Sequence, residues 1–288
     1  MGHIVNKSLY PGLLFLSLIL TSCERFEFRG FFLSYENVDE RFTQSIAWNN
    51  LNPYKVITID TNYYTIYVMA DSHIGSLNNF NYFIAHAINI NAVASVMAGD
   101  ITTGHAIDYK TFNDALPGWD VLPTFPIAGN HDIYFEGWTQ FHSLFGSSTY
   151  LFYVKTPEGT DIYICLDTAG GTLGELQYKW LRDVLRTERL NCRRCVVFTH
   201  NNILQFRKTS TTTPNLEELY SLNELFIEHR VDAVITGHDH KKDQIEFGKT
   251  KYISLDALLD GHKEAGFLVL SVTDGNLSFE HLNISEPG

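Results

Sequence analysis

The sequence contains few cysteines, four among 288 residues. Cys192 and Cys195 form a C-x-x-C pair, but no second pair is present to complete a four-cysteine zinc site. The pair is predicted to lie between a helix and a buried strand, without the βαβ context of a redox motif. We therefore expect a structural or incidental role for it, with a disulfide bond as an alternative in an oxidising compartment.

Positive charge is also scarce. The chain has 21 lysines and arginines against 33 aspartates and glutamates, which gives a formal net charge of −12. An electric field of this sign repels polyanions, so tight, sequence-independent binding of nucleic acid is not expected. A small phosphorylated substrate remains compatible with this charge, because bound metal cations would reverse the field locally.

The sequence also lacks internal repeats, low-complexity tracts and any linker that would divide residues 61–288. With 44% hydrophobic residues, the chain can bury a full core, and one large α/β domain is the natural expectation. We expect three parts: a lipoprotein signal peptide over residues 1–22, an N-terminal approach segment over 23–60, and the main domain over 61–288.

The N-terminus resembles the leader of a bacterial lipoprotein. Lys7 precedes an apolar run from Leu13 to Leu20, which is too short for a spanning helix and is typical of a signal peptide. The run ends in Leu20-Thr21-Ser22-Cys23, which resembles the lipobox, where cleavage precedes a cysteine that is then acylated. The resemblance implies a lipid anchor at Cys23 and a place on a membrane of the bacterial cell envelope, periplasmic or on the outer surface. The alternatives are an ordinary signal peptide, or a short buried helix, with a chance cysteine.

Short apolar strands alternate with helical stretches over most of the chain, which predicts mixed sheets with helices outside them. Val38, Phe42 and Ile46 recur at four-residue spacing, which predicts a short amphipathic helix over Glu36–Trp48. Four further helices are predicted, at Asn78–Ile90, Ala106–Leu116, Leu173–Arg189 and Leu216–Arg230. The predicted strands are Lys55–Ile59, Tyr64–Ala70, Ala92–Ala98, Thr124–Ala128, a hairpin of Tyr150–Val154 with Asp161–Asp167, Cys195–Thr199, Asp232–Thr236, Asp243–Phe247, Tyr252–Leu255 and Gly266–Val272.

With the N-terminal helix included, five helices and eleven strands are thus predicted in all.

Five short polar fragments stand directly after predicted strands, and in open α/β sheets the ligands bind at the carboxyl ends of strands. A centre that holds two divalent cations needs a bridging carboxylate, several imidazoles and one or two neutral oxygens, and the fragments offer this mixture. They are Asp71-Ser72-His73, Gly99-Asp100, Gly129-Asn130-His131-Asp132, Thr199-His200 and Gly237-His238-Asp239-His240.

The fragments differ in how specific they are. Asp71-x-His73 and Gly99-Asp100 are weak signals on their own. The fragment Gly129–Asp132 is more specific, because an amide, an imidazole and a carboxylate rarely meet by chance in one turn, although Asn and Asp also favour turns. In Gly237–His240, two imidazoles two positions apart can reach the same side of an extended segment.

Together the fragments resemble the calcineurin-like metallophosphoesterase superfamily, over roughly residues 64–240. The stretches 144–152 and 173–181 are similar to supporting segments of extracellular and bacterial members. The resemblance implies a four-layer α/β/β/α sandwich of two mixed sheets, with the metals between the sheet edges. It implies a metal-dependent phosphomonoesterase or phosphodiesterase that acts on a small phosphorylated substrate, with a hydroxide between the two metals attacking phosphorus in line.

The resemblance also implies a role for each residue. The first metal would be held by Asp71, His73 and His240, the second by Asn130, His200 and His238, and both by the bridging Asp100. His131 would contact the phosphate and protonate the leaving oxygen, and Asp132 would orient His131 through a hydrogen bond. Mixed nitrogen and oxygen ligands suit manganese, iron and zinc alike, so the two divalent ions are not distinguished.

Some positions depart from the family pattern. Thr103 stands where purple acid phosphatases carry a tyrosine, which excludes the tyrosinate–iron type. Asn201 and Asn202 follow His200 where many relatives have other residues, and the loops 134–148 and 201–214 are expected to recognise the rest of the substrate. His105 is expected either to line the cleft or to be a solvated loop residue. The alternative functions are a pyrophosphatase, a nuclease, and a non-catalytic binding or assembly module of the envelope.

Overall fold

Two sheets form the centre of the protein in the computed structural model, which describes residues 32–204, 216–273 and 276–284. The strands are β1 (Lys55–Thr58), β2 (Tyr64–Met69), β3 (Ala94–Ala98), β4 (Thr124–Ile127), β5 (Tyr150–Thr156), β6 (Gly159–Cys165), β7 (Cys195–Thr199), β8 (Ala233–Thr236), β9 (Asp243–Phe247), β10 (Thr250–Ser254), β11 (Gly266–Thr273) and β12 (Asn276–Asn283). One sheet has seven strands in the order β1-β5-β6-β7-β8-β10-β9, and the other has five in the order β12-β11-β2-β3-β4.

Six α-helices are described. They are α1 (Val38–Leu51), α2 (Asn78–Asn89), α3 (Ala106–Ala115), α4 (Gly137–Phe145), α5 (Glu175–Thr187) and α6 (Leu216–Glu228), and two short 3₁₀ segments cover His131–Glu136 and Arg189–Asn191. None of the described helices combines the length and the hydrophobicity needed to cross a bilayer.

The core lies in three apolar layers, which follow from the alternation of side chains along each strand. Val68 and Val96 of the five-stranded sheet and Phe198 of the seven-stranded sheet belong to one layer between the sheets. Their neighbour Tyr67 faces the other way and packs with residues of α2, α3 and α4. Val197 likewise faces outward and packs with residues of α5 and α6. The predicted α/β/β/α sandwich of two mixed sheets is therefore confirmed.

Parallel strands in both sheets bring the predicted fragments to one edge of the sandwich. Strands β2, β3 and β4 run parallel in one sheet, and β6, β7, β8 and β10 run parallel in the other. The carboxyl ends of parallel strands lie on the same side of a sheet, and there the loops that follow them converge. The predicted hairpin is also present, with β5 and β6 pairing antiparallel.

The described part of the N-terminal segment joins the sandwich. Strand β1 pairs in parallel with β5 at the edge of the seven-stranded sheet. Helix α1 begins at Val38, later than predicted, because the side chain of Asn37 accepts a hydrogen bond from the amide of Glu40 and the Glu40 carboxylate accepts one from the amide of Asn37. This reciprocal capping box satisfies two amides that the helix itself leaves unpaired.

Two elements were not predicted. Helix α4 lies inside the segment 134–148, which was expected to be a substrate loop, and it buries Trp138 and Phe141. The other is β12, an edge strand that pairs with β11. Its residues are half-buried or exposed in alternation, so the strand lacks the apolar run that marks the inner strands.

Cys192 and Cys195 are free thiols, as is the buried Cys165, so the disulfide considered for the C-x-x-C pair is not formed. The proposed lipidation site Cys23, the predicted signal peptide and most of the loop 201–214 lie outside the described residues.

Candidate metal centre

Hydrogen bonds between neighbouring loops hold the predicted fragments together. The amide of Asp71 donates to the carbonyl of Gly99 at 3.0 Å, and the amide of His73 donates to the carbonyl of Asp100 at 3.0 Å. These bonds continue the pairing of β2 and β3 past the ends of both strands. Across the sheets, the amide of His238 donates to the Asp71 carboxylate at 2.9 Å. The loops therefore form one connected surface at the edge of the sandwich.

One set of metal-binding atoms is formed by Asp71, His73 and His240, whose donor atoms lie within 4.8 Å of one another. His240 Nε2 is 3.3 Å from Asp71 Oδ1 and 3.4 Å from His73 Nε2. His73 Nε2 is in turn 3.7 Å from Asp100 Oδ2. These are the three residues predicted for the first metal, with the predicted bridging carboxylate beside them.

A second set is formed by Asp100, His200 and His238, and Asn130 lies beside it. The Ala98 carbonyl can only accept, so His200 donates to it from Nδ1, at 3.0 Å. His200 Nε2 is then left as an acceptor, yet it faces Asp100 Oδ2 at 3.3 Å and Asn130 Oδ1 at 3.2 Å. Three lone-pair atoms that converge in this way repel one another unless a proton or a cation lies between them.

His238 provides an independent observation on the same set. Its Nε2 is buried and has no hydrogen-bond partner among the described residues. Buried polar atoms in folded proteins are almost always paired, so an unpaired imidazole nitrogen beside His200 and Asp100 points to an absent partner. A metal ion is such a partner, because a neutral imidazole binds metals through its free nitrogen. The donor atoms of this set therefore fit a metal ion.

The pKa values describe the same attraction for positive charge. Burial is the largest single effect on His200 and lowers its pKa, but Asp100, Asp71 and the Ala98 carbonyl together raise the pKa to about 10. Asp71 likewise raises the pKa of His240 to about 9, against the effect of burial. His73 is different, because burial dominates and lowers its pKa to about 4. The two carboxylates thus draw one positive charge into each set, and metal cations would replace those protons on binding.

The backbone is strained at most of these positions. Five of the seven predicted ligands have a positive φ, although none is glycine. They are Asp71 at 55°, His73 at 39°, Asp100 at 50°, His238 at 72° and His240 at 51°. The left-handed region is unfavourable for residues with a Cβ atom, and such residues persist where the surrounding structure imposes them, often at functional sites.

Two glycines allow the loops to approach each other this closely. A Cβ on Gly99, whose φ is 88°, would collide with the His200 ring, and a Cβ on Gly129 would collide with the amide and carboxylate of Asp100. A larger residue at either place would displace a predicted ligand. The Gly-Asp and Gly-Asn pairs in the sequence are explained by this contact.

The sequence also matches the model of a known protein family. The model of the calcineurin-like phosphoesterase family matches residues 64–242, more than half of the chain. The chain belongs to this family. The matched segment runs from β2 to the loop after β8 and contains all seven predicted ligands.

Solved structures share the fold of this calcineurin-like phosphoesterase. A dimetal phosphatase from Danio rerio is similar with a TM-score of 0.55 and 13% identity, over 77% of this chain and 99% of that one. GAP50, the anchor in the inner membrane complex of Plasmodium, is similar with a TM-score of 0.53 and 14% identity, over 78% of this chain and 90% of that one. At such identities the likeness shows the fold alone. Among curated proteins, no sequence matches the chain.

Within this family member, His131 lies beside the first set of donor atoms. Its amide donates to Asp100 Oδ1 at 2.8 Å. Its ring meets the His73 ring edge to face, with 4.6 Å between centroids, and one ring nitrogen lies within 4.8 Å of donor atoms of His73 and Asp100. The geometry allows His131 to bind a metal or to face a substrate, so its role in phosphate binding and protonation stays a prediction.

The position of Asp132 requires a correction. Its buried carboxylate accepts hydrogen bonds from the amide of Ile101 at 3.1 Å, the amide and hydroxyl of Thr102 at 2.8 and 2.9 Å, and the amide of Gly129 at 2.9 Å. Among the described residues, the His131 imidazole is not one of its donors. Asp132 therefore ties the loop after β3 to the loop after β4, and it does not orient the His131 ring directly.

Two further side chains support the centre and were not predicted from the sequence. Asn202 donates to Asp239 at 2.8 Å, which joins the loop of His200 to the loop between His238 and His240. Asp256, at the end of β10, accepts from the amide of Lys242 at 2.7 Å and holds the far side of the same loop. The only sequence signal for them was their place directly after ligands or strands.

Proposed function

We propose that this chain is a metal-dependent hydrolase of phosphate esters with a dinuclear centre. The observation that carries the proposal is the convergence of two sets of lone-pair atoms, with Asp100 a member of the second set and 3.7 Å from His73 of the first. The membership of the calcineurin-like phosphoesterase family supports it, as does the unpaired Nε2 of His238. The substrate is a small phosphorylated molecule, a phosphomonoester or a phosphodiester.

In this proposal the ligand roles are as follows. One divalent ion would be held by Asp71, His73 and His240. The other would be held by Asn130, His200 and His238. Asp100 would bind both ions. When bound, the two ions would lower the pKa of an attacking water and neutralise charge on the phosphoryl oxygens. The ions would be manganese, iron or zinc, because imidazole and carboxylate ligands suit all three.

The protein's own residues position the reaction around these ions. The Ala98 carbonyl fixes the tautomer of His200 and turns its Nε2 toward Asp100, as the outer partners of metal-binding histidines usually do. Asp132 keeps the loops of Asp100 and Asn130 in register. His131 would donate a proton to the leaving oxygen of the ester, and its amide would keep Asp100 in place.

The proposal is tested with the purified protein and the Asp100→Asn variant. We expect wild type to take up two metal equivalents and to hydrolyse members of a panel of phosphomonoesters, cyclic nucleotides and pyrophosphates when manganese, iron or zinc is added. Asp100→Asn should lose metal and activity together, because two close cations repel strongly without a carboxylate between them. Metal content is measured by elemental analysis.

Three results would contradict all or part of the proposal. If the wild type with two bound metals hydrolyses no phosphate compound, the chain is a non-catalytic binding or assembly module on this fold. If Asp100→Asn keeps two full metal equivalents, Asp100 does not bridge the ions. Hydrolysis of pyrophosphate alone would replace the ester hydrolase by a pyrophosphatase that uses the same centre.

A further inference from the structure

Two aromatic rings, those of His105 and Phe135, lie stacked on each other. Their centroids are 4.1 Å apart and their planes differ by 18°. His105 is exposed, whereas Phe135 is half-buried and packs against the core outside the five-stranded sheet. The pair, here named the stacked pair, therefore has an anchored inner ring and an outer ring that solutes can reach.

The stacked pair belongs to two loops that carry candidate metal ligands. His105 is in the loop that follows Asp100, and Phe135 is in the loop that follows Asn130. The His131 ring, which touches His73, also lies against Tyr134 with 4.9 Å between centroids, and Phe135 is the next residue. The loops press on each other, since a Cβ on Gly104 would meet the carbonyl oxygens of His131 and Tyr134 at 2.6 Å.

Local preferences do not explain the conformation of Phe135. It has φ 54° and ψ 39°, and Glu136 after it has φ 62°, so two consecutive residues with side chains adopt the left-handed region, which is unfavourable for them. The N-terminal segment holds them there. The Glu136 amide donates to the Leu33 carbonyl at 2.8 Å, and the Ser34 hydroxyl donates to the Ile133 carbonyl at 2.6 Å.

His105 is equally unusual for its position. It is the N-cap residue of α3, where Ser, Thr, Asp and Asn are preferred because their side chains accept from the first amides of a helix. The His105 side chain makes no such capping bond. Helix stability does not favour histidine here, and the contact that the ring does make is the stack on Phe135.

We propose that the stacked pair is a recognition surface for an aromatic ring in the leaving group of a phosphate ester. This ring is either the base of a nucleoside or a simple aryl ring. This inference rests on the proposed function. The metal centre binds only the phosphate, so the rest of the substrate is recognised by the loops beside it. A planar ring stacks well on an exposed, pre-oriented aromatic ring, and this contact needs no particular hydrogen-bonding pattern.

The test compares esters with and without a ring on the full-length, metal-loaded protein. We measure kcat/KM for phenyl phosphate, adenosine 5′-monophosphate and glycerol 1-phosphate. In His105→Ala, the ratio of kcat/KM for the aromatic esters to that for glycerol 1-phosphate should fall about tenfold, within the usual range for one lost stacking contact. His105→Phe should keep the ratio, because it keeps a ring. Phe135→Leu should lower it in the same direction.

The control variant is Tyr220→Ala, which removes an exposed aromatic ring from α6, 73% exposed, and should leave the ratio unchanged. An equal loss for all three esters in His105→Ala, or no loss at all, would overturn the inference. A fall confined to one of the two aromatic esters supports it and identifies the source of the ring.

A second measurement separates this inference from the proposed function. Calorimetric titration of adenosine 5′-monophosphate and of phenyl phosphate into the metal-loaded protein does not require turnover. Even if no ester is hydrolysed, His105→Ala should weaken the binding of at least one of these ligands about tenfold relative to wild type, with His105→Phe close to wild type. Equal affinity of wild type and His105→Ala for both ligands would reject the stacked pair as a binding surface.

Discussion

At the scale of single residues, the centre is a group of acceptor atoms that need positive charge between them. His200 shows this best, because its Nδ1 proton is committed to Ala98 while its Nε2 faces two oxygens. The neighbours Asn130 and His131 then divide into two roles. Asn130 Oδ1 lies 3.2 Å from His200 Nε2, whereas His131 contacts Asp100 through its amide and His73 through its ring.

Substitution of these two neighbours should separate metal binding from chemistry. Asn130→Ala removes a neutral oxygen ligand, so we expect metal affinity to fall together with the rate. His131→Ala should retain both metals and lose about 10²–10⁴ in turnover, the usual range for a lost acid–base group. If His131 protonates the leaving oxygen, the loss should be smaller for nitrophenyl esters, which need little protonation. Metal content and kcat are measured for both variants, and an equal loss with good and poor leaving groups would argue for phosphate positioning instead.

A substitution of Gly129 tests the packing of the loops while every predicted metal ligand is kept. In Gly129→Ala, the new Cβ would collide with the amide and carboxylate of Asp100, so we expect lower metal occupancy and lower activity. The matched control is Gly75→Ala in the loop after His73, where the nearest atom would be 3.9 Å away, an ordinary contact. Full metal occupancy in Gly129→Ala, measured by elemental analysis, would contradict the close packing of these loops.

At the scale of elements, helix α1 packs on the sandwich through the apolar Phe42 and through polar contacts. The sequence predicted an apolar face through Val38, Phe42 and Ile46, but the buried residues are Arg41, Phe42, Ser45 and Asn49. Arg41 makes a two-pronged ion pair with Asp167 at 2.8 and 3.0 Å, and both side chains are only 1% exposed. The periodicity identified the helix, but the face that it buries depends on partners that are distant in the sequence.

Removal of the buried arginine should be costly for stability. In Arg41→Ala, the Asp167 carboxylate stays buried without its cation, and we expect a loss of about 3–5 kcal/mol in the free energy of unfolding. The control is Lys110→Ala, which breaks an exposed pair with Asp114 and should cost no more than about 0.5 kcal/mol. Urea unfolding of both variants checks this, and similar midpoints would show that the Arg41 pair contributes little.

At the scale of the whole molecule, the protein combines a negative net charge with a predicted lipid anchor. The charge of −12 becomes −13 if the leader with Lys7 is removed. Such a protein repels nucleic acid over its surface, while two divalent ions would make one edge of the sandwich attractive to phosphate. A lipid anchor would add a location at a membrane without any change in the sandwich.

The anchor stays a prediction, and we propose its test. Cys23→Ala should move the protein from the membrane fraction to the soluble fraction of the cells that produce it, because the acyl chains on this cysteine would supply the membrane affinity. Fractionation followed by immunodetection measures the change. Cys192→Ala serves as the control cysteine variant and should stay with the membranes. Membrane association of Cys23→Ala equal to wild type would reject the lipid anchor.

The sequence by itself determined the types of the ligands and their order along the chain. It also indicated where they would meet, because each fragment follows a parallel strand and the ends of parallel strands share an edge. Most strand and helix positions followed from local periodicity. The exceptions have weak local patterns, since α4 is only nine residues long and β12 has half-buried and exposed residues but no buried ones.

Only the tertiary structure decided how the ligands are oriented and what supports them. The tautomer of His200 depends on Ala98 in the opposite sheet, and the partners of Asp132 are backbone amides of two loops. The stack of His105 on Phe135 depends on a left-handed backbone that the distant Leu33 and Ser34 hold in place. Such contacts join residues far apart in the chain, and their energies depend on distances and burial that local residue patterns do not contain.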